Sequence, residues 1–267
     1  MHDIRIAVVI SYSPVGKIQH NLECVNKWVI KAAEKGASII CFPEMNITGY
    51  TTNEEIRRFA ENIPGSISNQ LVDLAVKKNI IILGGMAEKD EKGLIYASHI
   101  IAYPNKDFKV YRKLHIAPPE QAVLTKGDDI PLFETKQVRF GIQLCYDAHF
   151  PELSSQMALQ GAEVIFIPHA SPRGTPVEKY NSWIRHLVAR AYDNSIFIVA
   201  CNQTGKNKNG MQFPGVAIII GPSGEIIKKD TSGIESIIIV DLKADAFNKV
   251  RNHKMRFFLP NRRADLY

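Results

Sequence analysis

The segment Val138-Arg-Phe-Gly-Ile-Gln-Leu-Cys145-Tyr-Asp-Ala-His-Phe-Pro-Glu152 begins apolar and β-branched and turns at a cysteine. Its first half reads as a strand running into Cys145. A sharp turn follows through Tyr146 to Phe150, and Pro151 falls where the first turn of a helix tolerates a missing N–H. The helix is predicted from about Glu152 to Gln160. A cysteine at such an elbow exposes its sulfur at the strand's C-terminal end, beside the positive end of a helix. That setting is expected to lower the thiol pKa and to favour developing negative charge.

Working outward, Ile4 to Ile10 is a buried strand, and Gln19 to Lys35 carries apolar residues at helical spacing, closed by Gly36. Ser38 to Phe42 is the next strand, and a helix over 67–78 leads into a strand over Ile80 to Met86. Leu94 to Ala102 and Phe108 to Arg112 flank a hairpin turn at Tyr103-Pro-Asn-Lys-Asp107. Beyond the elbow come a strand over Glu163 to Ile167, a helix over Pro176 to Tyr192 and a strand over Ile196 to Cys201. Strands over Val216 to Ile220, Glu225 to Lys228 and Ile234 to Asp241 complete the chain. With no linker, low-complexity tract or internal repeat, residues 1–267 read as one α/β domain with helices covering sheets.

Composition narrows the function classes. The chain has 267 residues, 45% hydrophobic and 22% charged, enough for a sizeable core. No apolar run is long enough to span a bilayer, and Met1 to Ile10 enters a strand without a basic-then-apolar leader, so a cytoplasmic location is expected. The net charge is +6, but Lys and Arg are dispersed except near the C-terminus, without an aromatic-studded basic stripe. Nucleic-acid binding is therefore not expected. The four cysteines, Cys24, Cys41, Cys145 and Cys201, form no C-x-x-C pair and have no histidine at ligand spacing. Neither a structural metal nor a disulfide framework is expected. Cys24, Cys41 and Cys201 read as core, as do Trp28 and Trp183 within helices.

Three strand ends carry chemistry. Ile39-Ile-Cys-Phe-Pro-Glu44-Met-Asn-Ile-Thr-Gly-Tyr50 places a carboxylate just past a strand, an ordinary loop acid or a general base. Val110-Tyr-Arg-Lys113-Leu-His-Ile-Ala-Pro-Pro-Glu120 closes a short strand with a lysine, a surface group or an oxyanion stabiliser. Cys145 is the third. Taken together and in this order, Phe-Pro-Glu44, Arg-Lys113-Leu-His and Leu-Cys145-Tyr-Asp with Phe-Pro-Glu152 resemble the signature of the nitrilase superfamily, the carbon–nitrogen hydrolases. Further segments are similar: Gln160-Gly-Ala-Glu-Val-Ile, Ala189-Arg-Ala-Tyr-Asp-Asn194, Asn202-Gln-Thr-Gly205, Gly221-Pro-Ser-Gly-Glu and Arg262-Arg-Ala-Asp-Leu-Tyr267.

The resemblance implies a four-layer α-β-β-α sandwich and a Glu44, Lys113, Cys145 triad, with Glu120 matching a second glutamate that orients the lysine and the substrate. It implies a thioester route to hydrolysis of a small amide or nitrile, without a cofactor. The backbone N–H of Tyr146 would share the oxyanion with Lys113. Cys-Tyr-Asp resembles amidase branches, whereas nitrilases more often show Cys-Trp-Glu, so a small linear carboxamide, including an ω-amide, ranks first, with a nitrilase or an N-carbamoyl-amine hydrolase using the same triad as the runner-up. Relatives that bind N-carbamoyl amino acids tend to carry arginines directly after Cys-x-Asp; this chain has Ala148-His149. A non-catalytic interaction protein of the same type is a further reading, disfavoured because Glu44, Lys113, Glu120 and Cys145 are all present.

Three more residues enter as candidates for substrate binding. His169 and Arg173, in His169-Ala-Ser-Pro-Arg-Gly174, follow a strand that would deliver them to the same rim. Arg173 suits bidentate binding of a carboxylate or a structural salt bridge. His149 lines the pocket or packs against the helix. The resemblance also implies a homodimer or higher homo-oligomer, with the tail Lys254-Met-Arg-Phe-Phe-Leu-Pro260 at an interface or docked on its own subunit.

Overall fold

The first strand, β1 (Ile4–Ile10), is buried at every position but Arg5, as the near-continuous apolar run requires of a strand covered on both faces. The computed structural model describes residues 1–266; Tyr267, the end of the Arg262 segment noted above, lies outside the described residues. The chain continues through α1 (Ile18–Glu34), β2 (Ile39–Cys41), α2 (Ser66–Lys78), β3 (Ile81–Lys89), β4 (Ile95–Ala102) and β5 (Phe108–Arg112). It then forms β6 (Phe133–Glu134), β7 (Arg139–Ile142), α3 (Pro151–Leu159), β8 (Val164–His169), α4 (Pro176–Asn194) and β9 (Phe197–Asn202). A small hairpin of β10 (Thr204–Lys206) and β11 (Gln212–Pro214) precedes β12 (Ala217–Ile220), β13 (Ile226–Asp230), β14 (Ser236–Leu242) and α5 (Ala244–Arg251).

Two six-stranded sheets result, ordered β14-β1-β2-β3-β4-β5 and β13-β12-β9-β8-β7-β6. They face each other where β1 approaches β9 and β12. On the first sheet, Ala7, Val9, Ile40, Ile82 and Ile100 pack against Leu22, Val25 and Val29 of α1 and Ile67 and Leu71 of α2. The opposite face, with Ile6, Val8, Leu83 and Tyr111, joins the second sheet in one core that also takes in Trp183 and Leu187 of α4 and Leu153 and Met157 of α3. This is the α-β-β-α layering that the resemblance implied. Gly36 sits just past α1 with φ 74, the left-handed position that a helix-ending glycine serves.

Strand polarity gathers the chemistry. β2 runs parallel to β1 and β3, and β7, β8 and β9 run parallel to one another. Their C-terminal ends therefore emerge at common edges, where open α/β sheets place ligands. The segment after β2 turns back at Gly49, whose N–H donates to the Met45 carbonyl at 2.8 Å. Gly49 has φ 78, and a Cβ there would overlap the backbone of Val15.

Several expectations need correction. The strand before the elbow ends at Ile142, and Cys145–His149 forms a short 3-10 turn before α3 begins at Pro151. Cys24 is half-exposed on α1 beside His20, 3.7 Å away, and so does not belong to the core. The β10–β11 hairpin and α5 had no counterpart in the sequence pattern. Among the described residues no helix is long and apolar enough to cross a membrane.

Gly49→Ala should destabilise the fold by roughly 1–3 kcal/mol from the left-handed backbone alone, with the overlap on Val15 added. Gly93→Ala is the control, since Gly93 shares a positive φ (79) but has open space around it. Denaturant unfolding of both variants is expected to show the larger loss for Gly49; equal losses would mean that the close approach to Val15 is not a constraint.

Candidate active site

Lys113 follows β5 directly and is fully buried, an uncommon place for an ammonium. Its Nζ donates to Glu44 Oε1 at 2.8 Å and to both Glu120 oxygens, at 2.8 and 2.9 Å. Burial pulls the Lys113 pKa down, but Glu44 and Glu120 outweigh it and raise the pKa, so the ammonium stays charged. Glu120 closes the 3-10 turn Pro118–Glu120, and its Oε2 also accepts from the Ala117 N–H at 2.9 Å. The Tyr50 hydroxyl donates to Glu120 Oε1 at 2.8 Å.

Glu44 is also fully buried. The Ala170 N–H, just past β8, donates to its Oε2 at 2.9 Å, and the Gln203 side chain holds its backbone carbonyl at 2.8 Å. Burial, opposed by Lys113 and reinforced by the negative charge of Glu120, lifts the Glu44 pKa to about 7. A carboxylate so tuned can accept and return a proton near neutrality.

Cys145 is partly exposed on the wall of a cavity of about 600 Å³. Its φ is 47, and Met45, next to Glu44, has φ 52. Left-handed backbone at non-glycine residues is costly and tends to mark functional sites. The elbow is held by Asp147, fully buried, whose Oδ2 accepts from the Leu144 N–H at 2.9 Å and the Tyr111 hydroxyl at 2.8 Å. Its Oδ1 accepts from the His115 N–H and lies 2.8 Å from His115 Nδ1. Asp147 thus ties the cysteine to the segment that carries Lys113.

The expectation of a lowered thiol pKa is overturned. Burial and the nearby negative charge of Glu44 raise it, outweighing Lys113 and the Ala170 N–H. With two carboxylates sharing one ammonium, the site already leans negative, and a further anion on sulfur is disfavoured. The resting thiol is neutral and would need a base to act as a nucleophile.

The cavity walls are formed by Tyr50, Glu120, Tyr146 and His149 on one side and by the stretch from Ala170 to Arg173 on another. The hairpin tip from Asn209 to Gln212 completes them. Tyr146 and His149 are thereby brought to the pocket. His169 is not: it is buried, its ring lies 4.1 Å from that of Trp183, and its Nδ1 is 2.7 Å from the Ile167 carbonyl. It sits in the last position of β8, where the strand delivers only the residues after it. Arg173 is exposed at the rim and pairs with no carboxylate among the described residues. Behind it Lys179 of α4 is half-buried, donating to Ser171 Oγ at 2.8 Å and the Pro172 carbonyl at 3.0 Å.

Tyr50, Asp147, Lys179, Gln203 and Asn209 were not singled out as site residues from the sequence. Asp147 and Gln203 lie in segments that carry the resemblance, which was the available signal, and Asn209-Gly210 is a tight-turn dipeptide. Among the described residues, no cluster of three or more His, Cys, Asp or Glu is arranged to hold a metal ion.

The family model for carbon–nitrogen hydrolases matches residues 5–252 of this chain. The chain is 32% identical to a probable nitrilase of Schizosaccharomyces pombe, covering 98% of itself and 97% of that relative. It is 28% identical to an omega-amidase of Xenopus tropicalis, covering 96% of itself and 93% of that protein. A solved CN-hydrolase superfamily protein of Xanthomonas campestris shares the fold with a TM-score of 0.89 at 20% identity, covering 99% of this chain and 98% of the other. With a buried Glu–Lys–Glu cluster beside a cysteine at a strand end, and similarity along nearly its whole length, this chain belongs to the carbon–nitrogen hydrolase family of the nitrilase superfamily.

Proposed function

We propose that the protein is an amidase that releases ammonia from a small linear carboxamide through a Cys145 thioester. The carrying observation is Lys113 fixed between Glu44 and Glu120 beside a neutral thiol on the cavity wall. Glu44 takes the thiol proton as the sulfur attacks the amide carbon. The new oxyanion is held by the Lys113 ammonium and the Tyr146 N–H, which lies in the first turn of a 3-10 helix and is not used by that turn. As the C–N bond breaks, Glu44 passes its proton to the leaving nitrogen. Glu44 then takes a proton from water, which attacks the thioester and frees the acid and the thiol. Two easier steps replace one hard one.

A carboxylate at the far end of the substrate fits the rim. Arg173 offers a positive charge there with no carboxylate partner among the described residues, and Lys179, behind it on Ser171 and Pro172, adds a second charge nearby. An ω-amide of a dicarboxylic acid has that chemistry, and the likeness to an omega-amidase of Xenopus tropicalis adds weight. A nitrile would use the same cysteine and is the alternative substrate class.

Ammonia release from aliphatic amides, ω-amides, N-carbamoyl compounds and nitriles, with Cys145→Ala alongside, tests this reading. Release from amides that vanishes in the variant is expected; release mainly from nitriles, or appreciable turnover by folded Cys145→Ala, would overturn it. Arg173→Ala should raise KM for ω-amides roughly tenfold, as for loss of one charged contact, and change KM for neutral amides little. Equal effects on both would remove Arg173 from carboxylate binding. The pH profile follows from Glu44. Its ionised form is the base and its pKa is about 7, so kcat/KM should fall about tenfold per pH unit below that point and level off above it. A flat profile between about pH 5 and 8 would contradict a glutamate base with a raised pKa.

A further inference from the structure

The hairpin tip between β10 and β11 has no part in the chemistry above, yet it forms one side of the cavity with Asn209, Gly210, Met211 and Gln212. Its shape is set from within by Asn207, which is buried. The Asn207 Oδ1 accepts from the N–H groups of Asn209 and Met211, each at 3.0 Å, and the Asn207 N–H donates to the Met211 carbonyl at 3.0 Å. Two side chains then fasten the tip to the segment after Gly49. Asn207 Nδ2 donates to the Tyr50 carbonyl at 3.1 Å. Asn209 Nδ2 donates to Glu55 Oε1 at 2.7 Å and to Thr51 Oγ1 at 3.0 Å, while Thr51 Oγ1 donates to the same Glu55 oxygen at 3.2 Å.

The tip is bound to the Ala170–Arg173 stretch as well. The Gln212 carbonyl accepts from the Arg173 N–H at 2.8 Å, holding Arg173 in its left-handed backbone (φ 75). One short loop therefore joins the wall that carries Tyr50 to the rim that carries Arg173, close to the thiol. The Asn207 anchor is buried, whereas Asn209 is exposed and closes the outer edge through polar contacts open to water. Such contacts are worth little each and yield more readily than the buried ones.

We propose that Asn209, bound to Thr51 and Glu55, latches the hairpin tip as a roof that selects substrates by the length of their acyl chain. This rests on the amidase reading and deepens it. An acyl chain too short to reach the roof gains nothing from it. A longer one is covered by Met211 and Gln212, and that contact is lost when the latch opens. Asn209 is a positioning residue: it acts through where it holds Met211, Gln212 and the Arg173 backbone.

The test is Asn209→Asp, which sets a carboxylate against Glu55 at the same size. It is paired with the double variant Asn209→Asp/Glu55→Gln, in which the amide introduced in place of the Glu55 carboxylate donates the hydrogen bond back. Neutral amides, acetamide and hexanamide, keep substrate charge out of the comparison. In Asn209→Asp the hexanamide-to-acetamide ratio of kcat/KM is expected to fall about five- to tenfold, mainly through KM, as for one or two methylenes losing their cover. The double variant should recover most of it. An unchanged ratio in the single variant, or a fallen ratio that the double variant does not restore, would overturn the latch.

A second readout separates the roof from the reaction. Alkylation of Cys145 by iodoacetamide and by the bulkier N-ethylmaleimide is followed by the mass of the peptide that carries it, apart from the half-exposed Cys24, and requires no amide turnover. An open roof should speed N-ethylmaleimide more than iodoacetamide, and the double variant should reverse this; equal changes for both reagents would overturn the roof. If no amide is hydrolysed by the unaltered protein while the alkylation pattern shifts as expected, the amidase reading falls and the roof stands.

Discussion

The site depends on a single buried ammonium. Lys113 lies in the core with Glu44 on one side and Glu120 on the other. Burying an ion is costly unless its partners are well placed, and removing one partner leaves a charge stranded. Here the partners come from different parts of the fold: Glu44 from the end of β2, and Glu120 from the turn after β5. Ala170 and Gln203 reach Glu44 from the second sheet. The first sheet thus carries the cluster, and packing the two sheets face to face sets it against the Cys145 elbow of the second.

Burial and that charge balance explain the cysteine. Burial first of all disfavours a thiolate at rest, and two carboxylates sharing one ammonium add to the penalty. Burial also lifts Glu44 into the neutral range, opposed by Lys113 and reinforced by Glu120. In the proposed reaction, nucleophile and base are matched by a shared environment rather than by a preformed thiolate. Asp147 keeps this arrangement in register, because it holds Leu144 of the elbow and His115 of the Lys113 segment at once. The His115 ring in turn stacks on Phe150, 3.8 Å between centroids, at the far end of the elbow turn.

Much of this was legible in the chain. Strongly apolar strands such as β1 and β8, and helices such as α1 and α4, announce themselves because burial imposes a period and caps mark the ends. Glu44, Lys113, Glu120 and Cys145 stand at strand ends or in the loops beyond them, where their meeting can be anticipated. Three features were not legible. The thiol shift depends on charges remote in sequence, so an elbow read locally gave the wrong sign. His169 is one residue short of the pocket, a difference below the precision with which strand ends are set by pattern. The β10–β11 hairpin is polar and glycine-rich, held by asparagine side chains rather than by an apolar face, and so lacks the alternation that marks a strand.

The most direct measurement is the intact mass of the protein quenched during turnover of a good amide. A mass gain equal to the acyl group, located on the peptide that carries Cys145 and removed by hydroxylamine, is expected of a thioester. Turnover with no such adduct under rapid quenching, or an adduct at another residue, would contradict covalent catalysis by Cys145.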